Sequence, residues 1–324
     1  MKKFLFICGH RKSGTTMFGN LFDFHPECIT FPNDLGFLYG YFPKYLSDRY
    51  SKKTKLERLN NVLLKPLKRS INENNTKFSY RNFQKLFKKK FKIDDLNKPN
   101  QIIKNFCNSF EKEYSRTFCN KNLKYLVVKE TSIEIYAQEI HKWFPKSKFI
   151  QIVRDPRDNY AALKSGINKY YKLIGEKENE ILSSLIFRLM TGLKIGLNNR
   201  KKIGSKNYLI VKYEDIVKNP VKSMKKISKF LKIKYDPILL KPTVFGKSTH
   251  GNSFDNFSTT KISNYNVGRW KKRINVEEEQ IINFYLKDLM EKFNYKVPKQ
   301  KNIFPVSNFY KWKNYKYYYK NTFK

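Results

Sequence analysis

The run Phe4-Leu5-Phe6-Ile7-Cys8 is apolar at every position and stops at Gly9. A short continuous apolar run of this kind suits a strand buried on both faces, where neither row of side chains meets water. The stretch Gly9-His10-Arg11-Lys12-Ser13-Gly14-Thr15-Thr16 then leads into a second apolar segment, Met17 to Phe24, which ends at His25-Pro26. Small residues in such a turn let successive backbone N–H groups converge on one anion, and a helix starting just beyond adds its positive end. Strand, anion-holding loop and helix in that order are the tightest constraint in the chain.

The alternation continues downstream. Tyr125–Lys129, Lys148–Val153 and Tyr208–Tyr213 are further buried-strand runs. Ile133, Tyr136, Ala137, Ile140 and Phe144 share one helical face before Pro145, and Asp155-Pro156 supplies an N-cap and first-turn residue. Further helices are predicted over 179–200 and 220–231. Strands alternating with helices predict an α/β fold with a central parallel β-sheet flanked by helices. Between about 37 and 122 the chain becomes rich in Lys and Asn, with apolar residues at helical spacing in 81–91 and 101–111. This reads as a helical insertion within a single domain spanning 1–295. The tail, 296–324, holds eight lysines, nine aromatics and no acid. It reads either as a peripheral wrap or as an arm adhering to a membrane surface or polyanion.

Across the chain 67 Lys+Arg face 27 Asp+Glu, a formal net charge of +40. That field draws anionic partners, although a Lys-rich composition also gives a merely solvated surface. Cys8, Cys28, Cys107 and Cys119 have no metal-ligand spacing and form no evident disulfide framework, so a reducing compartment is expected. The first apolar run is too short for a secretory signal, and no apolar stretch reaches the roughly 18 residues of a membrane span. A cytoplasmic protein is expected, with membrane association only at its surface.

Gly9 and Gly14 have the glycine spacing of the Walker loop G-x-x-x-x-G-K-[ST], but Thr15 stands where that loop carries lysine. The cation is inside the loop, at Lys12. A P-loop kinase or NTPase is therefore the weaker reading, and a basic nucleic-acid- or membrane-binding protein is the other alternative.

Lys-Ser-Gly-Thr-Thr after a first strand resembles the sulfotransferases that use 3′-phosphoadenosine 5′-phosphosulfate (PAPS), especially bacterial and Golgi-type members. Val153-Arg154-Asp155-Pro156-Arg157-Asp158 is similar to that family's second nucleotide motif. Tyr213-Glu214-Asp215 followed by Asn219-Pro220 and Phe230-Leu231 resembles its next segment, and Val267-Gly268-Arg269-Trp270-Lys271 a C-terminal one. The resemblance implies a P-loop NTPase-like sulfotransferase fold and PAPS as donor, with no metal. It implies that Arg11, Lys12, Ser13, Gly14, Thr15 and Thr16 surround the 5′-phosphosulfate, with Lys12 on the bridging oxygen. Arg154 would grip the 3′-phosphate and Tyr213 lie by the adenine. Ala162 replaces the serine many members use there, and Ser165, on the same helical face, could substitute. Lys247, in a polar loop with Ser253, is a further candidate for the nucleotide.

Sulfuryl transfer asks for in-line positioning, stabilisation of charge on the leaving phosphate, and a base for the acceptor's proton. The resemblance implies Asp34 as the base, since it falls one residue beyond where related Golgi-type enzymes carry a catalytic glutamate after their His-Pro pair; His25 and His141 are weaker candidates. Lys129 matches a lysine that positions acceptor or sulfuryl oxygens in glycan- and tyrosine-modifying members. The insertion is expected to build the acceptor pocket. The basic surface favours a glycan or other anionic acceptor, leaving tyrosine, lipid and small alcohols open, and no specific nucleic acid is implied.

Overall fold

The computed structural model describes residues 3–37, 52–118, 122–174, 178–249, 253–254 and 260–298. In chain order the elements are β1 (Lys3–Cys8), α1 (Thr15–Asn20), β2 (Cys28–Asp34), α2 (Lys52–Leu59), α3 (Lys65–Glu73), α4 (Tyr80–Lys90) and α5 (Pro99–Phe118). Then come β3 (Tyr125–Lys129), α6 (Ala137–Trp143), β4 (Lys148–Val153), α7 (Pro156–Lys164), α8 (Glu178–Lys202) and β5 (Tyr208–Lys212). They are followed by α9 (Tyr213–Lys218), α10 (Pro220–Leu231), a small hairpin of β6 (Thr243–Val244) and β7 (Lys247–Ser248), and α11 (Val276–Lys292). The tail from 299 onward and positions 250–252 of the polar loop lie outside the described residues.

The five long strands form one parallel sheet in the order β2-β3-β1-β4-β5. The chain leaves β1, at the centre, with its neighbours on either side coming from later segments. That is the switch point at which open α/β sheets bind ligands. Alternate residues of β1 serve opposite faces: Phe4, Phe6 and Cys8 enter one buried cluster, Leu5 and Ile7 another. Burial of both faces explains why the strand reads as a continuous apolar run. Across β1, β4 and β5, Phe6, Phe149 and Tyr208 stack with ring centroids 5.3 and 5.7 Å apart. Pairs of this kind add about 0.5–1.5 kcal/mol each beyond their buried area.

The first face is covered by helices α2–α5. Leu63, Leu67, Phe83, Phe106 and Phe110 lie in one cluster with Phe4, Phe6 and Val128, so these helices share the core of the sheet. On the second face Phe18 and Phe22 meet Ile216, Met224, Ile227 and Leu231 of α9 and α10. A third cluster joins α7, α8 and α11 beside Val153.

Several elements differ from the sequence expectations: Tyr213 opens helix α9 instead of ending β5, and Lys247 lies on β7 instead of in a loop. β2 is a fifth strand, where the sequence pattern predicts none. Its Pro32 cannot donate to a ladder, and the strand lies at the sheet edge, where proline is tolerated. The terminal helix α11 is also new relative to the sequence pattern, and Asn275 and Glu278 form a reciprocal capping box at its start.

Candidate active site at the carboxyl edge of the sheet

The loop after β1 is bent by three residues with positive φ: Gly9 at 140°, Lys12 at 64° and Gly14 at 90°. Ser13 N–H donates to His10 O at 3.1 Å, closing the turn. Gly14 is the N-cap of α1, whose first amides receive no side-chain cap. A Cβ on Gly14 would stand 2.6 Å from the Tyr213 ring. Gly14→Ala therefore combines left-handed strain with overpacking, together roughly 2–5 kcal/mol. Denaturant unfolding should register that loss, and a variant as stable as wild type would contradict the packing.

Tyr213 begins α9 directly after β5, which brings its ring onto the loop. Arg154, at the end of β4, stacks on the other side of that contact, its guanidinium 4.7 Å from the Tyr213 ring centroid. Arg154 Nη1 donates to Lys12 O at 2.8 Å and Nη2 to Asn266 O at 2.7 Å. Its Nε–H is buried with no acceptor among the described residues. An orphaned donor on a buried guanidinium, beside uncapped loop amides, fits an anionic ligand.

The rest of this motif fastens the site together. Asp155 caps α7 and forms a two-point ion pair with Arg157, at 3.0 and 2.7 Å. Asp158 accepts from the N–H groups of Gly268 and Trp270 at 2.6 and 3.0 Å, tying the Gly268-Arg269-Trp270 turn to α7. Glu214 accepts from Asp155 N–H at 2.9 Å and from Tyr295 Oη at 2.9 Å. Asp155, Asp158 and Glu214 thus each hold a backbone amide.

On the opposite side of the loop Lys129, at the end of β3, donates to Thr16 Oγ1 at 3.1 Å and to Asp34 Oδ2 at 2.6 Å. Asp34 Oδ1 also accepts from Thr131 N–H at 3.1 Å. Lys129 is buried while Asp34 is half exposed, so the pair connects the loop to solvent-facing space. The Lys12 ammonium sits 3.5 Å from the Phe254 ring centroid, and the Arg11 guanidinium 4.8 Å from that of Tyr171. Phe254 itself leans on Gly166 and pairs with Tyr170 and Tyr171, forming an aromatic wall beside the loop.

Arg11, Lys12, Ser13, Gly14, Thr15, Thr16, Asp34, Lys129, Arg154 and Tyr213 are therefore gathered around one loop. Two predicted residues are engaged elsewhere. Ser165 ends α7; its hydroxyl donates to Ala161 O and accepts from Arg273, each at 3.0 Å. Lys247, on β7, reaches Asn75 O at 3.4 Å beyond the end of α3 and has no bond to the loop among the described residues. Of the weaker bases, His25 is buried with Nε2 donating to Lys234 O at 2.9 Å and Nδ1 accepting from Glu27 N–H at 3.2 Å. His141 stands edge-on to Phe149 and within 3.5 Å of Ser147 Oγ, away from the loop.

Sequence reasoning missed Glu134. It is buried under the loop, where Oε2 accepts from Gly9 N–H at 3.1 Å. Only a glycine at 192 leaves room for it, since a Cβ there would lie 2.6 Å from Oε1. Burial pushes the Glu134 carboxyl up to about 7 from its ordinary 4.5. The folded chain then keeps a proton that the unfolded chain has lost between these values. Stability from this group is complete below about pH 4.5 and is lost as pH rises through about 7. Glu134→Gln should gain on wild type by about 2–3 kcal/mol between pH 5 and pH 8. Denaturant unfolding at both values tests this, and an unchanged difference would refute it.

Comparison with known proteins agrees with this architecture. A sulfotransferase domain from the curacin biosynthetic pathway superposes with TM-score 0.61 at 18% identity, covering 92% of this chain and 99% of that one. The sulfotransferase domain of the Synechococcus PCC 7002 olefin synthase gives TM-score 0.56 at 19% identity, over 92% and 98% of the two chains. Protein-tyrosine sulfotransferase A of Caenorhabditis elegans is 24% identical over 149 residues, 46% of this chain and 37% of that protein, so the match spans well under half of the relative's length. The sequence model of the Sulfotransferase family matches residues 5–237, from β1 past α10. The chain belongs to the sulfotransferase family.

Proposed function

We propose that the chain transfers a sulfuryl group from PAPS to an acceptor hydroxyl or amine, releasing adenosine 3′,5′-bisphosphate (PAP) and a proton. The observation that carries this reading is the bond from Arg154 to the carbonyl of Lys12, which puts a guanidinium with an unspent donor against the anion-holding loop. One bisphosphorylated adenosine could then touch both.

PAPS supplies an activated sulfuryl group whose departure leaves negative charge on the 5′-phosphate. In this reading Lys12, the loop amides and the Ser13 and Thr15 hydroxyls meet that charge. Arg154 and Tyr213 hold the nucleoside end. Asp34 takes the acceptor's proton, and Lys129, bonded to both Asp34 and Thr16, links the base to the loop. Ser165 enters this reading only together with Arg273, which shares its hydroxyl.

The net charge of +40 supports an anionic glycan as acceptor. A phenolic acceptor such as tyrosine is the second reading, supported by the Tyr170, Tyr171 and Phe254 wall beside Lys12. Titration calorimetry with PAP in the absence of metal, against ATP with Mg²⁺, tests the donor. Tighter binding of ATP would defeat the proposal. Labelled PAPS offered with an acidic polysaccharide or a tyrosine peptide separates the acceptors.

A further inference from the structure

His10 and Asn159 are buried at the base of the loop, and neither has a role in the chemistry above. Asn159 is 0% exposed, Ser13 1% and His10 3%, so water does not substitute for the bonds among them. His10 Nδ1 lies 2.9 Å from Arg11 O and 2.8 Å from Asn159 Oδ1. Arg11 O is a carbonyl and can only accept, so Nδ1 carries the hydrogen. Asn159 must then turn its oxygen toward His10, and its amide nitrogen toward Ser13 Oγ, which it meets at 3.1 Å. A hydroxyl that accepts from an amide keeps its own hydrogen for another partner. Were the amide reversed, Asn159 Oδ1 would capture the Ser13 hydrogen and a lone pair would face the anion.

We propose that His10 and Asn159 are positioning residues that hold the Ser13 hydroxyl as a hydrogen-bond donor to the 5′-phosphate of the nucleotide. The proposal rests on the sulfotransferase reading of the loop. It needs a neutral imidazole, and burial together with the nearby Arg11 and Arg188 guanidiniums lowers the His10 pKa to about 3. His10 Nε2 is buried with no partner among the described residues, so the ring's one effective bond is the one toward Arg11 and Asn159.

The test is a double-mutant cycle read by PAP affinity. Ser13→Ala removes one bond to a charged group and should weaken PAP about tenfold or more. Asn159→Ala should weaken it comparably in the wild-type background, and by less than about twofold when Ser13 is already alanine. A second pair guards against folding defects. His10→Leu should match the loss of Asn159→Ala, whereas His10→Asn, whose amide can donate from near the Nδ1 position, should recover most of it. Losses that multiply in the double variant, or equal losses from His10→Asn and His10→Leu, would overturn the relay. Failure of wild type to bind PAP would remove the donor assignment and the relay with it, whereas wild-type binding with independent losses removes the relay alone.

Discussion

Lys12→Ala should lower sulfuryl transfer by about 100- to 1000-fold, the usual consequence of deleting a donor aimed at developing charge. Lys12 is held in a left-handed backbone conformation at φ 64°, with its ammonium 3.5 Å from the Phe254 ring centroid. Its carbonyl is the acceptor for Arg154, and that bond survives truncation of the side chain. PAP affinity should therefore fall much less than the rate. Single-turnover transfer and equilibrium PAP binding separate the two quantities. Turnover near the wild-type level would remove Lys12 from the chemistry.

Arg154→Ala should act the other way, mainly on binding. The side chain bonds two backbone carbonyls, on the loop and at Asn266, and stacks on Tyr213. Truncation leaves both carbonyls short of a donor, at about 1–3 kcal/mol each where water cannot replace it. PAP affinity should drop by about 100-fold or more, with a measurable loss of stability in denaturant, from the loss of a charge-assisted contact and of loop support. Arg154→Lys should rescue little, because a point ammonium cannot serve two carbonyls and a ring face in one plane. Full affinity in Arg154→Lys would show that charge alone matters there.

Sequence pattern disclosed those parts of the molecule in which local chemistry agrees with the tertiary environment. The apolar strands, the loop, the Asp155-Pro156 helix start and the 220–231 helix all lie where spacing put them. β2 escaped because Pro32, Asn33 and Asp34 break the strand pattern, and only its edge position makes them acceptable. The gathering of Asp34, Lys129 and Thr16 follows from β2 pairing with β3 beside the loop, which no local signal encodes. Glu134 and Asn159 were illegible for a different reason. Each is a polar residue in an ordinary helical stretch, and its importance comes from what the fold buries it against. Lys247 and Ser165 show the converse, since polar residues near a recognised motif can spend their bonds on neighbouring backbone or an arginine.

Helices α2–α5 and the central strands interlock through the same core, Phe83, Phe106 and Phe110 among Phe4, Phe6 and Val128. They cannot be traded between relatives as a cassette. A chimera that exchanged 52–118 alone would set one protein's aromatic relief against another's sheet surface, leaving voids in some places and collisions in others. A change of shape in these helices therefore calls for a matching change in the facing strand residues.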